Sequence, residues 1–380
     1  MNLLFPIFRY FPHGGLQRDM LRIAEAAVKR GHSVTVATME WRSPDKPPEG
    51  VTVELFPRRG MTNHGRAAAF ARDVRHFAAG KKFDFIFGFN RMPGLDFYFA
   101  ADNCFAKSAE RHSDLVLTLV PRYRTFLRFE REIFAPESKT HVFYLTWQQR
   151  RDFQQVYGTP AERFTLLPPG ISADRRRPPE AEAAAIRERK RAELGIRSDQ
   201  ILLLEVGSSF YTKGVDRMLW ALSKLPKPVA VKTRLFVAGR DKNKNFPTLA
   251  SELGLAGKVV FAGGRSDVPE LLLAADLLVH PARNEAAGAV LIEALAAGTP
   301  VLCTANCGFA NYVHESGGAV FTGSFEEKAF LALFEKILTT PGKLDAMRQA
   351  AIAYGEKADF YRRADAVIDV LEEAEHEANR

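Results

Sequence analysis

Two glutamates that lie eight residues apart are the residues of this 380-residue chain whose type and spacing most directly indicate chemistry. Glu285 and Glu293 follow an apolar run that ends at His280. Eight residues are about two helical turns, so Glu285 would lie at the helix entry and Glu293 deeper on one face. Ala, Val, Leu and Ile surround Glu293, and an unpaired carboxylate there would be costly, which argues against a merely solvated helix face. The spacing suits a nucleotide sugar, with amides of residues 288–290 on the diphosphate and the carboxylates on sugar and ribose hydroxyls.

Two other loops have residues that could hold phosphate. Gly14 and Gly15 follow the first apolar run and open a helical pattern, where free amides and positive potential favour an anion. Lys213 lies at a helix start in the second half and could contact a diphosphate. The alternatives are an ordinary strand-to-helix turn and a solvated lysine. Neither loop matches the G-x-G-x-x-G dinucleotide pattern or a Walker A loop.

Alternating strands and helices must position these loops. Short apolar runs between helical patterns are typical of parallel strands that are covered on both faces. The predicted strands cover residues 2–8, 34–39, 83–89, 97–101, 142–145, 164–167, 201–206, 235–238, 259–262, 277–280 and 301–303. The pattern starts again after residue 200, which predicts an α/β protein with two Rossmann-like domains facing each other across a ligand-binding cleft.

Pro168, Pro169 and Gly170 mark the expected hinge between the two domains. We predict an N-terminal domain over residues 1–168 and a C-terminal domain over residues 169–356. A last helix over about 357–380 is expected to pack back on the first domain. Within the charged segment 174–190, the Ala/Glu/Arg part that follows Pro179 is predicted to be an exposed helix.

The composition indicates a globular protein and excludes a disordered or fibrous one, since 46% of the residues are hydrophobic. Cys104, Cys303 and Cys307 are too few for a disulfide framework, which favours a reducing compartment. The sequence has no signal-peptide pattern and no run of the ~18 apolar residues that a membrane span needs. We therefore expect a cytoplasmic protein.

The net charge of +8 lies in the first half of the chain. Residues 1–168 contain 25 Lys+Arg and 17 Asp+Glu, whereas residues 169–380 contain 28 of each. This asymmetry predicts that the first domain meets an anionic partner, which could be nucleic acid, a membrane or a phosphorylated substrate.

The two glutamates form the E-x7-E motif of the retaining glycosyltransferases of family 4, which have the two-Rossmann-domain (GT-B) fold. Within that family, the chain resembles the glucosyltransferases of the lipopolysaccharide core. The segments that carry the resemblance are residues 9–19, 88–96, 100–102, 122–124, 167–171 and 307–312. The resemblance implies transfer of glucose from UDP-glucose to an inner-core heptose of lipopolysaccharide, with retention of the anomeric configuration.

The resemblance also implies a role for each matching residue. Lys213 would bind the diphosphate of the leaving UDP, Glu285 would hold the glucose hydroxyls, and Asp19 would be the acidic group near the reacting centre. The expected donor-binding residues are Gly14, Gly15, Arg175, Thr212, Lys213, Arg265, Glu285, Ala287, Gly288, Ala289, Val290 and Glu293. No cofactor or metal is expected, because the nine histidines lack metal-ligand spacing and no D-x-D motif occurs.

Two positions depart from the family pattern. Many members carry Arg immediately before the lysine, where this chain has Thr212, so one cationic contact is missing or comes from elsewhere, with Arg9 and Arg18 as candidates. Many members also carry His at the end of the strand over residues 97–101. Asp102 is the nearest polar residue there, and we expect it to contact the acceptor.

A basic segment over residues 119–134 is predicted to contact the acceptor or the membrane. Aromatic and aliphatic side chains recur at helical spacing beside Arg122, Arg124, Arg128 and Arg131. Such a helix either lies on anionic lipid or packs internally with a solvated basic edge. The resemblance implies a phosphorylated heptose on a membrane-anchored lipid as acceptor, which favours peripheral contact with the inner face of the inner membrane.

Other interpretations stay open at this point. A related family 4 transferase could use another UDP-hexose donor or another glycolipid acceptor, and an inactive sugar-binding relative is a further alternative. The alternative from a different class is a basic nucleic-acid-binding protein. The arginines of this chain are dispersed and match no known nucleic-acid-binding motif, so no nucleic-acid partner is expected. The expected state is a monomer.

Overall fold

The computed structural model describes residues 1–12, 14–43, 46–110, 112–241, 245–378 and 380, and only the backbone of residue 114. His13, which precedes the two glycines of the first loop, therefore lies outside the described residues. The chain forms two compact units. Unit 1 is Met1–Gly170 with Arg362–Arg380, and unit 2 is Ile171–Tyr361.

Unit 1 is built on a parallel sheet of seven strands. They are β1 (Asn2–Ile7), β2 (Ser33–Thr38), β3 (Val51–Leu55), β4 (Phe85–Gly88), β5 (Phe97–Ala100), β6 (His141–Tyr144) and β7 (Phe164–Leu166). Their order is β3-β2-β1-β4-β5-β6-β7, so the direction of strand addition reverses between β1 and β4. Leu3, Leu4 and Phe5 of β1 are fully buried, as expected for a strand that is covered on both faces.

Six helices of unit 1 connect these strands. They are α1 (Gly15–Lys29), α2 (Asn63–Ala79), α3 (Phe105–Ala109), α4 (Asp114–Leu119), α5 (Pro121–Phe134) and α6 (Trp147–Tyr157). On α1, the buried residues Met20, Ile23 and Ala27 recur every three to four positions and form one face. Pro121 begins α5 and separates it from α4, because proline fits the first position of a helix but not its interior.

Unit 2 is built on a second parallel sheet. Its six strands are β8 (Ile201–Val206), β9 (Thr233–Ala238), β10 (Val259–Phe261), β11 (Leu277–His280), β12 (Val301–Thr304) and β13 (Ala319–Phe321). Their order is β10-β9-β8-β11-β12-β13, with a reversal between β8 and β11. Doubly wound sheets bind ligands beyond the strand ends at such a reversal. The predicted α/β fold with two Rossmann-like units is confirmed.

The helices of unit 2 alternate with these strands and complete the unit at its C-terminal end. They are α7 (Glu180–Glu193), α8 (Phe210–Lys213), α9 (Val215–Ser223), α10 (Lys227–Ala230), α11 (Asn245–Glu252), α12 (Val268–Ala274), α13 (Ala289–Ala297), α14 (Ala310–Glu315), α15 (Glu327–Thr339) and α16 (Lys343–Lys357). Short 3-10 turns cover Ala161–Arg163 in unit 1 and Ala173–Arg175 in unit 2.

The prediction of an exposed helix after Pro179 is wrong for the last turn of α7. Lys190 and Arg191 of α7 are buried against α12 and the start of β11. Arg191 Nη1 donates to Asp276 Oδ2 at 2.8 Å, and Lys190 Nζ donates to Asp267 Oδ2 at 2.9 Å. The aliphatic stems of these side chains can be buried because their charged ends find carboxylates.

The last helix, α17 (Arg363–Ala378), belongs to unit 1 and packs against α1. Arg30 Nη1 lies 2.7 Å from Asp369 Oδ1 and 3.1 Å from Glu372 Oε2. The acidic side of α17 therefore meets a basic residue at the end of α1. Nowhere in the described residues does a helix have the length and apolar character that crossing a membrane requires.

Candidate functional site

The loops that follow β8 and β11 bring Lys213 and Glu285 together at the strand reversal of unit 2. Lys213 is the last residue of α8, and its Nζ donates a hydrogen bond to Glu285 Oε2. His280, the last residue of β11, is fully buried, and its Nε2 lies 3.2 Å from the same oxygen. One carboxylate oxygen thus lies between two basic side chains.

These contacts keep Glu285 ionised. Burial by itself would raise the pKa of this carboxyl group, because a buried carboxylate loses its hydration. The hydrogen bond to His280 and the positive charge of Lys213 outweigh burial and lower the pKa of Glu285 to about 2. At neutral pH the side chain is therefore an acceptor of hydrogen bonds, as a group that holds sugar hydroxyls must be.

The loop after β12 fastens the backbone around Glu285. Glu285 N donates to Asn306 O at 3.2 Å, and Gly308 N donates to Glu285 O at 3.0 Å. Phe309 N donates to Ala287 O at 2.8 Å. The segment 307–312, which the family resemblance singled out, therefore supports Glu285 through its backbone.

Gly288 separates the two glutamates into a loop and a helix. Its φ of +94° is in the left-handed region that glycine favours, and a Cβ there would lie 3.2 Å from Glu285 Cγ. Helix α13 starts at Ala289, so Glu293 is helical and buried while Glu285 precedes the helix. The two carboxylates are not on one continuous helix, because Gly288 turns the chain between them. The start of α13 offers first-turn amides that have no partner inside the helix.

Two predicted donor-binding arginines have different surroundings. Arg265 donates to both carboxylate oxygens of Asp267, at 2.8 and 2.6 Å. Arg175 lies 3.5 Å from Asp174, and its buried Nη1 has no hydrogen-bond acceptor among the described residues. A buried donor without an acceptor is costly, so Arg175 is the better placed of the two to receive an anionic ligand.

Arg283 contacts Thr212, the position where many family members have arginine, but its charge is already engaged. Thr212 O accepts a hydrogen bond from Arg283 N at 2.8 Å. The guanidinium of Arg283 donates to Asp216 at 2.8 and 2.6 Å and lies 3.8 Å from the ring centroid of Tyr211. Arg283 therefore joins α8 and α9 to the loop after β11, and its charge is balanced by Asp216.

Two buried titratable residues beside this site, His280 and Glu205, have no role in the predictions from sequence. Glu205 lies in β8, and neither of its buried carboxyl oxygens has a hydrogen-bond partner in the described part of the chain. Burial and then the negative charge of Asp216 raise the pKa of Glu205 well above its ordinary range, against the opposing charge of Lys213. A signal for Glu205 exists in the sequence, since it is the one acidic residue of an otherwise apolar strand.

Gly14 and Gly15 lie at the start of α1 in unit 1. A Cβ on Gly14 would overlap the end of the Gln17 side chain and approach the ring of Phe11, so both side chains would have to move to accept it. A Cβ on Gly15 would meet no described atom within 4 Å, so the packing of unit 1 does not require glycine at that position.

Asp19 lies in a network that holds the end of unit 1 together. Its Oδ2 accepts from Arg363 Nη1 at 3.0 Å, and its Oδ1 lies 3.6 Å from Arg22 Nη1. Arg363 Nε donates to Pro168 O at 2.9 Å, and Arg22 Nη1 donates to Gly170 O at 3.3 Å. The residue expected near the reacting centre is therefore also the partner of two arginines that fix the last residues of this unit before unit 2.

The residues predicted to contact the acceptor or membrane lie at the surface of unit 1. Asp102 is 70% exposed, and the α5 arginines Arg122, Arg124, Arg128 and Arg131 are exposed. The aromatic residues of the same segment point inward, since Phe126, Phe129 and Phe134 pack into the core. The exposed apolar side chains belong instead to α4, where Leu115 and Leu119 are each 67% exposed.

Within the described residues, no group of three or more His, Cys, Asp or Glu side chains is arranged to hold a metal ion.

Two family models match the chain. The model described as Glycosyltransferase Family 4 covers residues 13–175, and the model described as Glycosyl transferases group 1 covers residues 186–357.

Similar proteins cover almost the whole chain. The lipopolysaccharide glucosyltransferase WaaG of Escherichia coli (strain K12) is 42% identical over 98% of both chains. The crystal structure of WaaG, a glycosyltransferase involved in lipopolysaccharide biosynthesis, matches with a TM-score of 0.89 over 97% of this chain and 99% of that one, at 41% identity. HepE of Anabaena, solved with UDP and glucose, shares the fold with a TM-score of 0.75 at 19% identity over 98% of this chain and 100% of that one. The chain therefore belongs to glycosyltransferase family 4, the family of this lipopolysaccharide glucosyltransferase, and has the GT-B fold.

Proposed function

We propose that this protein transfers glucose from UDP-glucose to an inner-core heptose of lipopolysaccharide, with retention of the anomeric configuration. The observation that carries the proposal is the Lys213–Glu285 pair at the strand reversal of unit 2. It occurs in a chain that is 42% identical over 98% of its length to a lipopolysaccharide glucosyltransferase. No metal or cofactor is needed for the mechanism that follows.

The donor is held by unit 2. Glu285 accepts hydrogen bonds from the glucose hydroxyls, and Glu293 accepts them from the ribose. The amides of residues 287–290 and the ammonium of Lys213 bind the diphosphate, with Arg175 as a further cation and Arg265 at the nucleoside end. Preorganised donors of this kind stabilise the charge that develops on the leaving phosphate, and removing one typically costs about 10²–10³ in rate.

The transfer needs no separate general base to take the proton of the acceptor hydroxyl. The bond between the anomeric carbon and the phosphate oxygen breaks while the acceptor hydroxyl oxygen bonds to the same face of that carbon. The departing phosphate oxygen takes the proton of the acceptor hydroxyl. Gly14 and Gly15 let the donor approach the start of α1, and Asp19 is the acidic group of unit 1 at the reacting centre.

The acceptor reaches the protein at a membrane surface. Leu115 and Leu119 of α4 are exposed apolar side chains, and Arg122 and Arg124 follow at the start of α5. Apolar side chains that enter the interface together with arginines on anionic headgroups make a peripheral membrane contact. Asp102 contacts the acceptor, and the protein acts as a monomer at the inner face of the inner membrane.

A donor panel tests this function. Purified protein is given UDP-glucose, UDP-galactose, a UDP-N-acetylhexosamine or a GDP-sugar, together with lipopolysaccharide whose core ends at the inner heptoses. Transfer from UDP-glucose is expected, and Glu285→Gln should lower kcat/KM by about 10²–10³. The matched control is Glu188→Gln on the exposed side of α7. Transfer from another donor only, or near-wild-type rates for Glu285→Gln, would refute the proposal.

A further inference from the structure

A cavity of about 200 Å³ in unit 1 has three arginines in its wall. Arg9 follows β1, Arg58 follows β3, and Arg66 lies in the first turn of α2. These segments meet beyond the carboxyl ends of strands in one parallel sheet, which is the edge where doubly wound folds bind ligands. We call this cavity the arginine pocket, and all of its described lining residues belong to unit 1.

The charge of the arginine pocket is not balanced by its own lining. Among the described residues that line it, none is acidic. Glu40 is a nearby carboxylate, 3.7 Å from Arg58 Nη1, but it also accepts from Arg42 Nε at 2.5 Å. Like charges that converge on one cavity repel each other, and a bound anion removes that repulsion.

The rest of the lining combines one polar and several apolar side chains. Asn63, the first residue of α2, adds an amide, and the start of this helix adds the positive end of its dipole. Phe8 and Phe126 form an apolar wall that packs against the core of unit 1. The wall is therefore fixed, and a phenyl face beside guanidinium groups suits the carbon face of a sugar that carries an anionic substituent.

The size and the donor type narrow the ligand. Guanidinium groups present paired N–H donors that match a phosphoryl group, which a lysine ammonium does not. A volume of about 200 Å³ is below the ~300–1,000 Å³ of sites for drug-sized ligands, so the pocket suits a phosphoryl group with part of one sugar ring rather than a nucleotide sugar. We propose that the arginine pocket binds a phosphoryl group carried by the acceptor glycan. This inference rests on the proposed function, which supplies a glycolipid acceptor.

Kinetics with matched acceptors test the proposal. Wild type, Arg58→Ala and Arg66→Ala are assayed with a phosphorylated core acceptor and with the same acceptor after dephosphorylation. Dephosphorylation should raise the acceptor KM of wild type about tenfold or more, the value of one charge-assisted contact. With the phosphorylated acceptor, each variant should have an acceptor KM about tenfold or more above that of wild type. Dephosphorylation of the acceptor should raise the KM of the variants little further, and their KM for UDP-glucose should be unchanged.

Controls separate the pocket from a general loss of charge or fold. Arg66 Nε also donates to Gly60 O at 2.9 Å, so Arg58→Ala and Arg66→Lys guard against a local change of structure. Arg72→Ala, an exposed arginine of α2 outside the cavity, should behave as wild type. Equal losses with both acceptors, or a wild type that does not distinguish them, would overturn the proposal.

A binding measurement keeps the inference separate from the proposed function. At low ionic strength, calorimetry should detect glucose 6-phosphate binding to wild type and Arg72→Ala but not to Arg58→Ala, with glucose and inorganic phosphate as comparison ligands. Absence of glucosyl transfer by wild type would refute the proposed function, whereas absence of this difference in sugar-phosphate binding would refute the pocket. If Arg58→Ala instead loses affinity for anionic vesicles, the site belongs to lipid headgroups and the assignment to the acceptor is wrong.

Discussion

One oxygen of Glu285 is held from two sides, and this contact decides the chemistry of the candidate site. Lys213 reaches it from the loop after β8, and His280 reaches it from the end of β11. Lys213 can also bind the donor diphosphate, but the buried imidazole of His280 has no route to solvent and serves to orient the carboxylate. We therefore regard His280 as a positioning residue.

Replacing His280 should slow the reaction without weakening donor binding. His280→Ala removes one hydrogen bond to a charged group, which is worth about 1.5–3 kcal/mol, so kcat should fall about 10- to 100-fold while the KM for UDP-glucose stays near its wild-type value. His280→Gln keeps an N–H donor and should recover part of the rate. Steady-state kinetics and thermal unfolding of both variants check this. Equal rates for the two variants would contradict an orienting role.

Glu205 predicts a specific pH dependence of stability. Its folded-state pKa is raised by burial, whereas in the unfolded chain it titrates near ~4.3. As the pH rises above the unfolded value, the unfolded state releases the proton first, so the free energy of unfolding falls with rising pH. Glu205→Gln removes that loss and should gain stability relative to wild type between pH 5 and pH 8.

Urea unfolding can measure this effect in unit 2 alone. Trp220 of α9 packs against the core of unit 2, and replacing Trp41 and Trp147 by Phe makes it the reporter. The stability difference between Glu205→Gln and its parent should be larger at pH 8 than at pH 5. A difference that does not change with pH would show that Glu205 titrates normally in the folded protein.

At the scale of elements, α4 and α5 divide the membrane-contact role that the sequence assigned to one helix. The arginines are on the exposed side of α5, whereas the exposed apolar side chains are on α4. Phe126 and Phe134, two of the aromatic residues that suggested an interfacial helix, pack in the core of unit 1. The surface that we propose for the membrane is therefore built from two successive helices joined at Pro121.

Changes on the two helices should have different effects on vesicle binding. Leu115→Ser with Leu119→Ser should weaken binding to all vesicles, because both leucines are 67% exposed and supply apolar contact. Arg122→Gln with Arg124→Gln should weaken binding to anionic vesicles only, by about fivefold per arginine, which corresponds to ~1 kcal/mol each. Vesicle sedimentation measures both effects.

The matched apolar control for these variants is Leu55→Ser. Leu55 is 63% exposed and lies on β3, so it belongs to neither α4 nor α5. This variant should bind vesicles as wild type does. Binding of wild type that is absent, or that is the same for neutral and anionic vesicles, would remove the basis for the membrane contact.

For the whole molecule, the return of α17 to unit 1 changes the charge argument. Arg362–Arg380 contributes three arginines and six carboxylates, so unit 1 carries a net +5 and unit 2 a net +3. The sharp contrast between a basic first half and a neutral second half therefore does not describe the folded units. The local groups of arginines in the arginine pocket and on α5, rather than the net charge of unit 1, support an anionic acceptor.

The Asp19–Arg363 pair tests whether Asp19 is structural, catalytic or both. The Arg363 side chain is 6% exposed, so Asp19→Ala leaves a nearly buried guanidinium without this partner and should lower stability by about 3 kcal/mol. Arg363→Ala should cost a similar amount. If Asp19 also acts at the reacting centre, Asp19→Ala should lose at least tenfold more activity than Arg363→Ala at matched folded fractions, which circular dichroism and initial rates together determine. Equal activities would leave Asp19 with the structural role alone.

Sequence by itself determined the fold class and identified the candidate chemical groups of unit 2. Apolar strand runs and helical spacing are local properties, so the two parallel sheets, the Glu285–Glu293 motif and Lys213 could be identified without a structure. The likeness to one family added roles that local patterns do not contain.

Only the tertiary structure decided which groups meet. His280 and Lys213 share Glu285 because β8 and β11 are neighbours at the strand reversal, although 67 residues separate them in the chain. Asp19 pairs with a residue 344 positions away, and the three arginines of the arginine pocket come from three separate segments of unit 1. Contacts of this kind depend on strand order and on the path of α17, which neither periodicity nor composition encodes. Packing therefore decides which charged side chains meet in a site, whereas the sequence shows only which charged residues are present.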